Sequence, residues 1–339
     1  MQSRPDMYLK NASVRFDVVA VNGEAIDVLI PGTPNACWLT SLCALIGPVA
    51  REEARRAMKG PELWGVLVLS HVTEVFARLF QIDKAVYPGH QLLSTSLYGG
   101  RVDKVIAAAP ALAQAYPDHA IIIRSLTKRP ESGTYWPLRV VWIIDDQPEV
   151  WTRHRDSRRD LKKLAELNLT PRRFGGEIDE ARLARCLDLY SGLYIETYSA
   201  FNPDYTPTGL RDLLARGVVE FWTLEARDGT IAAFCAAQDD GETQILPLVG
   251  YDRTRPQEDG LYRAIMAHMA QQAMQRHLKR NLSAGAPHFK RHRGATPWME
   301  YLLIVDSHLP IWRRMAYRLI GALLRQFEAK LAAVATAGA

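Results

Sequence analysis

The segment from Val218 to Gly250 confines the fold more than any other part of the chain. Three apolar runs, Val218–Ala226, Thr230–Gln238 and Thr243–Gly250, are separated by Asp228-Gly229 and Asp240-Gly241. Runs of this length, rich in β-branched and aromatic residues, read as strands, and an Asp-Gly pair between two of them reads as a tight type I′ turn. Strands joined so closely lie antiparallel, as a meander. Upstream, Asp179 is placed to cap a helix reaching about Tyr198, with Leu183, Leu187, Tyr190 and Tyr194 on one face. A shorter helix over 209–216 ends at Gly217. Downstream, Asp259-Gly260 opens a helix to about His277, followed by strands over Lys279–Ser283 and Trp298–Asp306. This order belongs to an α+β fold. It is not that of a doubly wound nucleotide fold, and neither GxGxxG nor GxxxxGKS/T occurs in the chain.

The first half also mixes strands and helices. Residues 14–30 alternate apolar and polar around Asn22-Gly23 and read as a hairpin, and helical patterning follows Pro34 as far as about Arg56. For Val66–Ser70, periodicity leaves strand and helix open. A helix interrupted at Pro110 is expected over 101–116, then strands over His119–Leu126 and Leu138–Ile144. With 339 residues, the chain has room for two cores of ordinary size. The expected division is 1–150, a basic connector helix at 151–175, a second lobe at 176–308 and an amphipathic helix at 309–339.

Composition excludes several classes. A 48% hydrophobic and 23% charged content is that of a globular chain. The N-terminal MQSRPDMYLKNASVRFD has no apolar core, the stretch 36–50 is too short to span a bilayer, and 62–80 carries His71, Glu74 and Arg78. A cytoplasmic protein is expected. Cys37, Cys43, Cys186 and Cys235 show no zinc spacing and read as reduced core thiols. The net charge is +5, but basic residues concentrate in two runs, 153–173 and 276–293, the second without an acid. Each is either a solvated face or a site for a polyanion such as a phosphate-bearing donor, an RNA or an anionic lipid surface.

Asn281-Leu282-Ser283-Ala284-Gly285-Ala286, Phe289-Lys290-Arg291, Arg293-Gly294-Ala295 and Glu300-Tyr301 carry a resemblance, supported by Gly250-Tyr251-Asp252, Gly260-Leu261-Tyr262-Arg263, and Tyr198 with Asn202-Pro203. With the element order over 179–306, these segments resemble the GNAT superfamily of N-acyltransferases in its FemAB-like branch, in which two such units are fused. The resemblance implies two GNAT-like lobes, each a mixed, mostly antiparallel sheet flanked by helices, the first lobe degenerate. It also implies amide formation from an activated acyl or aminoacyl group and an amine acceptor. The donor would be an acyl-CoA or other acyl thioester, used as co-substrate, or an aminoacyl-tRNA. One departure stands out. Coenzyme A enzymes of this fold hold the pyrophosphate with a glycine-rich loop before the long helix, whereas Arg253–Gly260 here has one glycine and two acids next to the helix.

Acyl transfer requires a deprotonated amine and a stabilised oxyanion. The resemblance turns Lys290 toward the reaction cleft, where it would stabilise the oxyanion. Glu300 is the candidate base and Asp252 a second acid able to position the amine. Arg291 and Arg293 would hold phosphates. Tyr251, Tyr262, Arg263, Asn281, Ser283, Tyr198 and Asn202 complete the expected donor and substrate contacts, Asn281 and Ser283 by bracing the turn at Gly285. Bland roles stand beside these: a solvated basic turn for Lys290, an ion pair for Glu300, a cap toward Arg255 for Asp252. His288 and His292 share a helix face but lack a third ligand, so no metal site is expected. No nucleophile elbow occurs, which points to direct transfer without a covalent enzyme intermediate. The C-terminal segment aligns Trp312, Leu319, Leu323, Phe327 and Leu331 in one stripe, to pack on its domain, a second subunit or a membrane surface. A catalytically silent RNA- or membrane-binding module is the reading from another class, and both monomer and homodimer fit.

Overall fold

The computed structural model describes residues 7–145 and 147–337, with side chains for all of these but 147–148, 331 and 334–337. The first six residues and the Leu331 side chain named above lie outside it. The chain opens with the hairpin β1 (Ala12–Val21) and β2 (Glu24–Asn35). Then come α1 (Leu42–Ala44), a π-helical turn, α2 (Ala50–Ala57), α3 (Gly60–Leu79) and β3 (Ala85–Pro88). The expected break at Pro110 divides α4 (Val102–Ala107) from α5 (Ala109–Ala115), ahead of β4 (Ala120–Leu126) and β5 (Thr134–Ile144). Next are α6 (Arg155–Glu166), β6 (Thr170–Phe174), α7 (Glu180–Tyr190) and α8 (Pro207–Ala215). The meander is β7 (Glu220–Glu225), β8 (Ile231–Asp239) and β9 (Thr243–Tyr251). The chain finishes with α9 (Leu261–Gln275), β10 (Lys279–Asn281), α10 (Pro287–Arg291), β11 (Thr296–Val305) and α11 (Ile311–Ala337).

The fold is α+β, as expected, and forms two compact units that interleave along the chain. The first holds residues 1–138, 194–206 and 300–329; the second holds 139–193, 207–299 and 330–339. Residues 151–175 are more than a connector: α6 and β6 both belong to the second unit. β6, like β3, escapes the sequence because its five residues, TPRRF, lack an apolar alternation.

Each unit has a strand, a helical segment and a second strand parallel to the first. In the first unit β1 pairs antiparallel with β2 and β2 with β3, while β3 and β4 run parallel. The next antiparallel partner of β4 is β11, with Leu303 opposite Ile123 and Val305 opposite Ile121. In the second unit β6, β7, β8 and β9 are antiparallel neighbours, β9 and β10 run parallel, and β10 meets β5 antiparallel. The strand that follows β4 in sequence therefore pairs with β10, and the strand that follows β10 pairs with β4.

Turn chemistry is visible in the backbone. Asn22 and Gly23 both have positive φ, 51° and 80°, as a type I′ turn requires. The two Asp-Gly turns of the meander differ from that expectation. Only Gly229 and Gly241 are left-handed, while the Asp228 and Asp240 carboxylates accept from backbone N–H groups two and three residues on. Asp179 caps α7 by accepting from Arg182 N at 3.0 Å, as read from the sequence.

In the second unit, α9 lies on the sheet through Ala264, Ala267, Ala270 and Ala273, all buried, and these small side chains allow close approach. Trp142, Ile144 and Trp151 pack on Ala267 and Ala270. Gly250 marks a close approach of α7 to the sheet. A Cβ there would lie 2.7 Å from the Leu189 carbonyl carbon and 2.8 Å from Tyr190 N. Arg293 ties α10 to α6. Its Nε donates to Asp160 at 2.6 Å and its Nη1 to the Phe289 carbonyl at 2.7 Å, with side-chain exposures of 8% for Arg293 and 3% for Asp160.

In the first unit, α11 packs through a face other than its expected stripe. Arg313 donates to the carbonyls of Gln81, Lys84 and Asp118, and the Tyr317 hydroxyl donates to Ile82 O at 2.7 Å. Tyr317 O accepts from Trp136 Nε1 at 2.9 Å, with Ala316, Ile320 and Gly321 also buried. Trp312 and Leu319 face outward, and Leu323 and Phe327 are half-buried. All four cysteines are buried free thiols, in keeping with the sequence reading.

Two substitutions probe this packing in urea melts. Gly250→Ala, which sets a methyl against the Leu189–Tyr190 peptide and the Phe234 ring, is expected to lose about 2–3 kcal/mol. Arg293→Met strands the Asp160 carboxylate in the interior and is expected to lose about 3–5 kcal/mol.

Candidate active site in the second unit

The site begins with a proline inside a strand. Pro247 lacks the N–H that an interior strand residue donates, and it lies at a bulge of β9. Ala236 of β8 faces Leu248 and Gln238 faces Ile245, so Leu246 and Pro247 together oppose Ala237. On the other edge of β9, β10 pairs only with Thr243, Gln244 and Ile245. Beyond Ile245 the two parallel strands separate, and the edge of β9 from Leu246 to Tyr251 has no strand partner among the described residues.

Past Asn281 the chain turns sharply. Ser283, Gly285 and Ala286 all have positive φ, of 60°, 77° and 46°. Leu282 N donates to Trp142 O at 2.8 Å and Trp142 N to Ser283 O at 3.1 Å, which continues the ladder with β5. Asn281 Oδ1 accepts from Ser283 N at 2.8 Å, so Asn281 and Ser283 do brace this turn. Lys290 reaches back from α10 to close it, its Nζ donating to Ser283 O at 3.0 Å and Ala284 O at 2.7 Å. The lysine is buried, at 3% exposure. Burial foremost, with Arg139 adding like-charge repulsion, lowers its pKa to about 7. An ammonium has three donors, and two are engaged by these carbonyls. Lys290 is therefore no solvated basic turn.

An aromatic row joins the separated strand ends. The Tyr251 ring is 6.2 Å from Tyr262, which is 5.2 Å from Phe289. Tyr262 and Arg263 stand in the first turn of α9, whose N-cap Gly260 is left-handed, at φ 61°, and offers no side-chain cap. Its φ is one that glycine adopts freely. Arg263 folds over it, since a Cβ on Gly260 would meet Arg263 Nη2 at 2.8 Å. Asp259 turns away to Arg255 at 2.7 Å, which leaves the positive end of α9 without that carboxylate.

Other expected residues are placed differently. The Asp252 carboxylate accepts from Thr254 N at 2.9 Å and Oγ1 at 2.6 Å and pairs with Arg185 at 2.8 Å. These bonds, Thr254 first, hold its pKa low against the opposing cost of burial. It caps its loop, as the bland reading had it, but toward Thr254 and not Arg255. Arg293 is committed to Asp160 and so is not free for phosphate. Arg291 is half-buried with its guanidinium 5.6 Å from the Trp142 ring centre. His288 and His292 stack at 4.0 Å, and no metal-binding group occurs among the described residues.

Tyr198, Asn202 and Glu300 fall in the first unit and Lys290 in the second. Tyr198 is 51% exposed and its carbonyl accepts from Arg56. Asn202 is structural, its Oδ1 accepting from Trp38 Nε1 at 3.0 Å and its Nδ2 donating to Tyr194 O at 2.9 Å. Glu300 is completely buried on β11.

One residue escaped the sequence reading. Arg280, the middle residue of β10, is 2% exposed, and its Nε and Nη2 have no hydrogen-bond partner among the described residues. Burial lowers its pKa to about 10. It lines a cavity of about 10 Å³, room for one water, with Trp151, Met266, Phe289 and Arg293. Strand alternation carried the signal, since Arg280 points opposite to its neighbours Lys279 and Asn281.

The family comparison falls mostly on this unit. Residues 152–291 match the family model of the acetyltransferase (GNAT) domain. None of the curated proteins matches the chain in sequence. Similar solved structures include FemX, at 11% identity over 92% of this chain and 91% of that one, with a TM-score of 0.49. L-PGS from Bacillus licheniformis is 15% identical over 70% of this chain and 83% of that one, with a TM-score of 0.48. A tandem GNAT protein from the clavulanic acid biosynthesis pathway is 9% identical over 89% and 84% of the two chains, at 0.38. Residues 152–291 are thus similar to the acetyltransferase (GNAT) domain.

Proposed function

We propose that the second unit transfers an acyl group directly from a thioester to an amine, with the donor arm laid in the opening between β9 and β10. The observation that supports this reading most is the separation of the two strands after Ile245, with Lys290 fastened to the turn that follows β10. An unpaired strand edge offers backbone N–H and C=O groups to an extended amide-bearing arm. The amine nitrogen attacks the carbonyl carbon, and the C–S bond breaks as the C–N bond forms. The amine gives up a proton, and the thiolate leaves to be protonated as the thiol. The third N–H of the Lys290 ammonium stabilises the oxyanion in between. Asp252 is held ionised and triply bonded by Thr254 and Arg185, and the acceptor enters as the free amine.

A titrating lysine makes the role testable. The ammonium is present below its pKa of about 7 and lost above it. Activity limited by Lys290 is expected to fall as pH rises through 7, and Lys290→Arg to move that limb upward by holding the charge. Lys290→Met is expected to cost on the order of 100-fold in kcat, read as thiol release from acetyl-coenzyme A with a panel of amines. Stability gives a second readout. Between about pH 7 and 10 the unfolded lysine keeps a proton that the folded one has lost, so stability should rise with pH by at most about 1.4 kcal/mol per unit. Lys290→Met should flatten that slope. A flat profile in the parent protein would sink the assignment.

Arg263 and the uncapped start of α9 are assigned to the donor's phosphates. Arg263→Gln is expected to raise KM for acetyl-coenzyme A about 10-fold and to leave KM for S-acetyl pantetheine, which lacks the nucleotide, unchanged. An equal loss with both donors would remove Arg263 from phosphate binding.

A second reading rests on the loop before α9, where one glycine and two acids replace a glycine-rich cradle. It takes aminoacyl-tRNA as donor in place of a thioester. Salt-sensitive binding of charged tRNA without thioester binding would favour it.

A further inference from the structure

The first unit carries an apolar face that no other described residue covers. Along α3, Trp64, Val68, Val72, Val75 and Leu79 recur at three- and four-residue spacing, and all are exposed, Trp64 at 68% and Leu79 at 72%. A surface helix ordinarily turns such a row inward. The inward work of α3 is done instead by Ser70, whose hydroxyl donates to Ile46 O at 2.7 Å, and by Glu74, which pairs with Arg51 at 2.7 Å and Arg78 at 2.8 Å. The face continues on α11, where Ile311, Trp312, Met315 and Leu319 are exposed at 43–62%. The two rows meet where the Phe80 ring, just past α3, lies 6.0 Å from that of Trp312. Together they leave on the order of 1,000 Å² of apolar side chain in water, above the roughly 300–600 Å² of the largest patch on an ordinary monomer.

Charge selects the occupant. Arg314 and Arg318 each precede an exposed apolar residue of α11 by one position, and so form one rim of the row. Among the described residues, neither has an acidic partner and Arg314 Nε has no hydrogen-bond partner. From Ile311 to Phe327 the helix has no acidic residue, and on α3 past its first turn the one acid, Glu74, is already paired. A second copy seated on this face would set arginine against arginine. A surface that is apolar beneath and negative above meets both demands. Tryptophans at the edge of an apolar row and arginines along its rim suit the headgroup level of a bilayer. Neither helix is long and apolar enough to cross one.

We infer that the exposed faces of α3 and α11 dock the first unit on an anionic phospholipid bilayer, the apolar row entering the headgroup boundary and Arg314 and Arg318 meeting lipid phosphates. The test is flotation of the full chain with vesicles of phosphatidylcholine containing about one third phosphatidylglycerol, against vesicles of phosphatidylcholine alone. Binding to the anionic vesicles is expected to be at least about 10-fold stronger and to weaken in high salt. Arg314→Gln with Arg318→Gln should lower it about 30-fold, near fivefold per arginine. Val72→Ser with Leu319→Ser, both at exposed positions, should lower it comparably with unchanged melting. Equal binding to both vesicles, or binding to neither, overturns the inference. So does a stable dimer that Leu319→Ser dissociates, since a second copy would then cover the face.

Discussion

Three residues of backbone pairing, Lys279–Asn281, set the shape of the candidate site in the second unit. Their strand is parallel to β9 on one side and antiparallel to β5 on the other, and it stops where β9 bulges at Pro247. Were β10 longer, it would close the gap along β9. Were it shorter, nothing would fix the turn that Asn281 and Lys290 close from both ends. The aromatic row and the uncapped start of α9 border the same gap, whose width would govern the fit of the proposed donor.

Much of this was legible in the sequence, because the signals were local. The meander, the hairpin at Asn22-Gly23, the cap at Asp179 and the break at Pro110 each follow from a few adjacent residues. Strands β3 and β6 were not legible, being short and without alternation. Pro247 was a visible signal of a bulge inside a strand pattern, although what it opens depends on where β10 ends. The match over 152–291 agrees with the family resemblance, whereas the roles of single residues divide. Lys290, Asn281 and Ser283 come together in one turn. Arg293 is consumed by Asp160, a partner 133 positions away that no spacing rule reveals.

The basic run 276–293 shows why composition misleads about burial. Read as a stretch of charge, it suggested a solvated or polyanion-binding face. Folded, it divides by position: Arg280, Lys290 and Arg293 are buried, while Arg276 pairs at the surface with Asp239. Each buried cation meets its desolvation differently. Arg293 takes a carboxylate, Lys290 takes two carbonyls and a lowered pKa, and Arg280 takes a lowered pKa with its Nε and Nη2 unpartnered among the described residues. Arginine does not readily shed its proton, which makes Arg280 the costliest of the three to hold in place.

The exchange of strands between β4 and β10 has a consequence for synthesis. A ribosome delivers β1 to β4 first, yet the antiparallel partner of β4 is β11, some 175 residues later by their pairing. The second unit has nearly all its residues once 299 has emerged, whereas the first waits for 300–329. The part made first is thus completed last. Until then the nascent chain exposes an open edge on β4, where a chaperone or a wrong strand can bind.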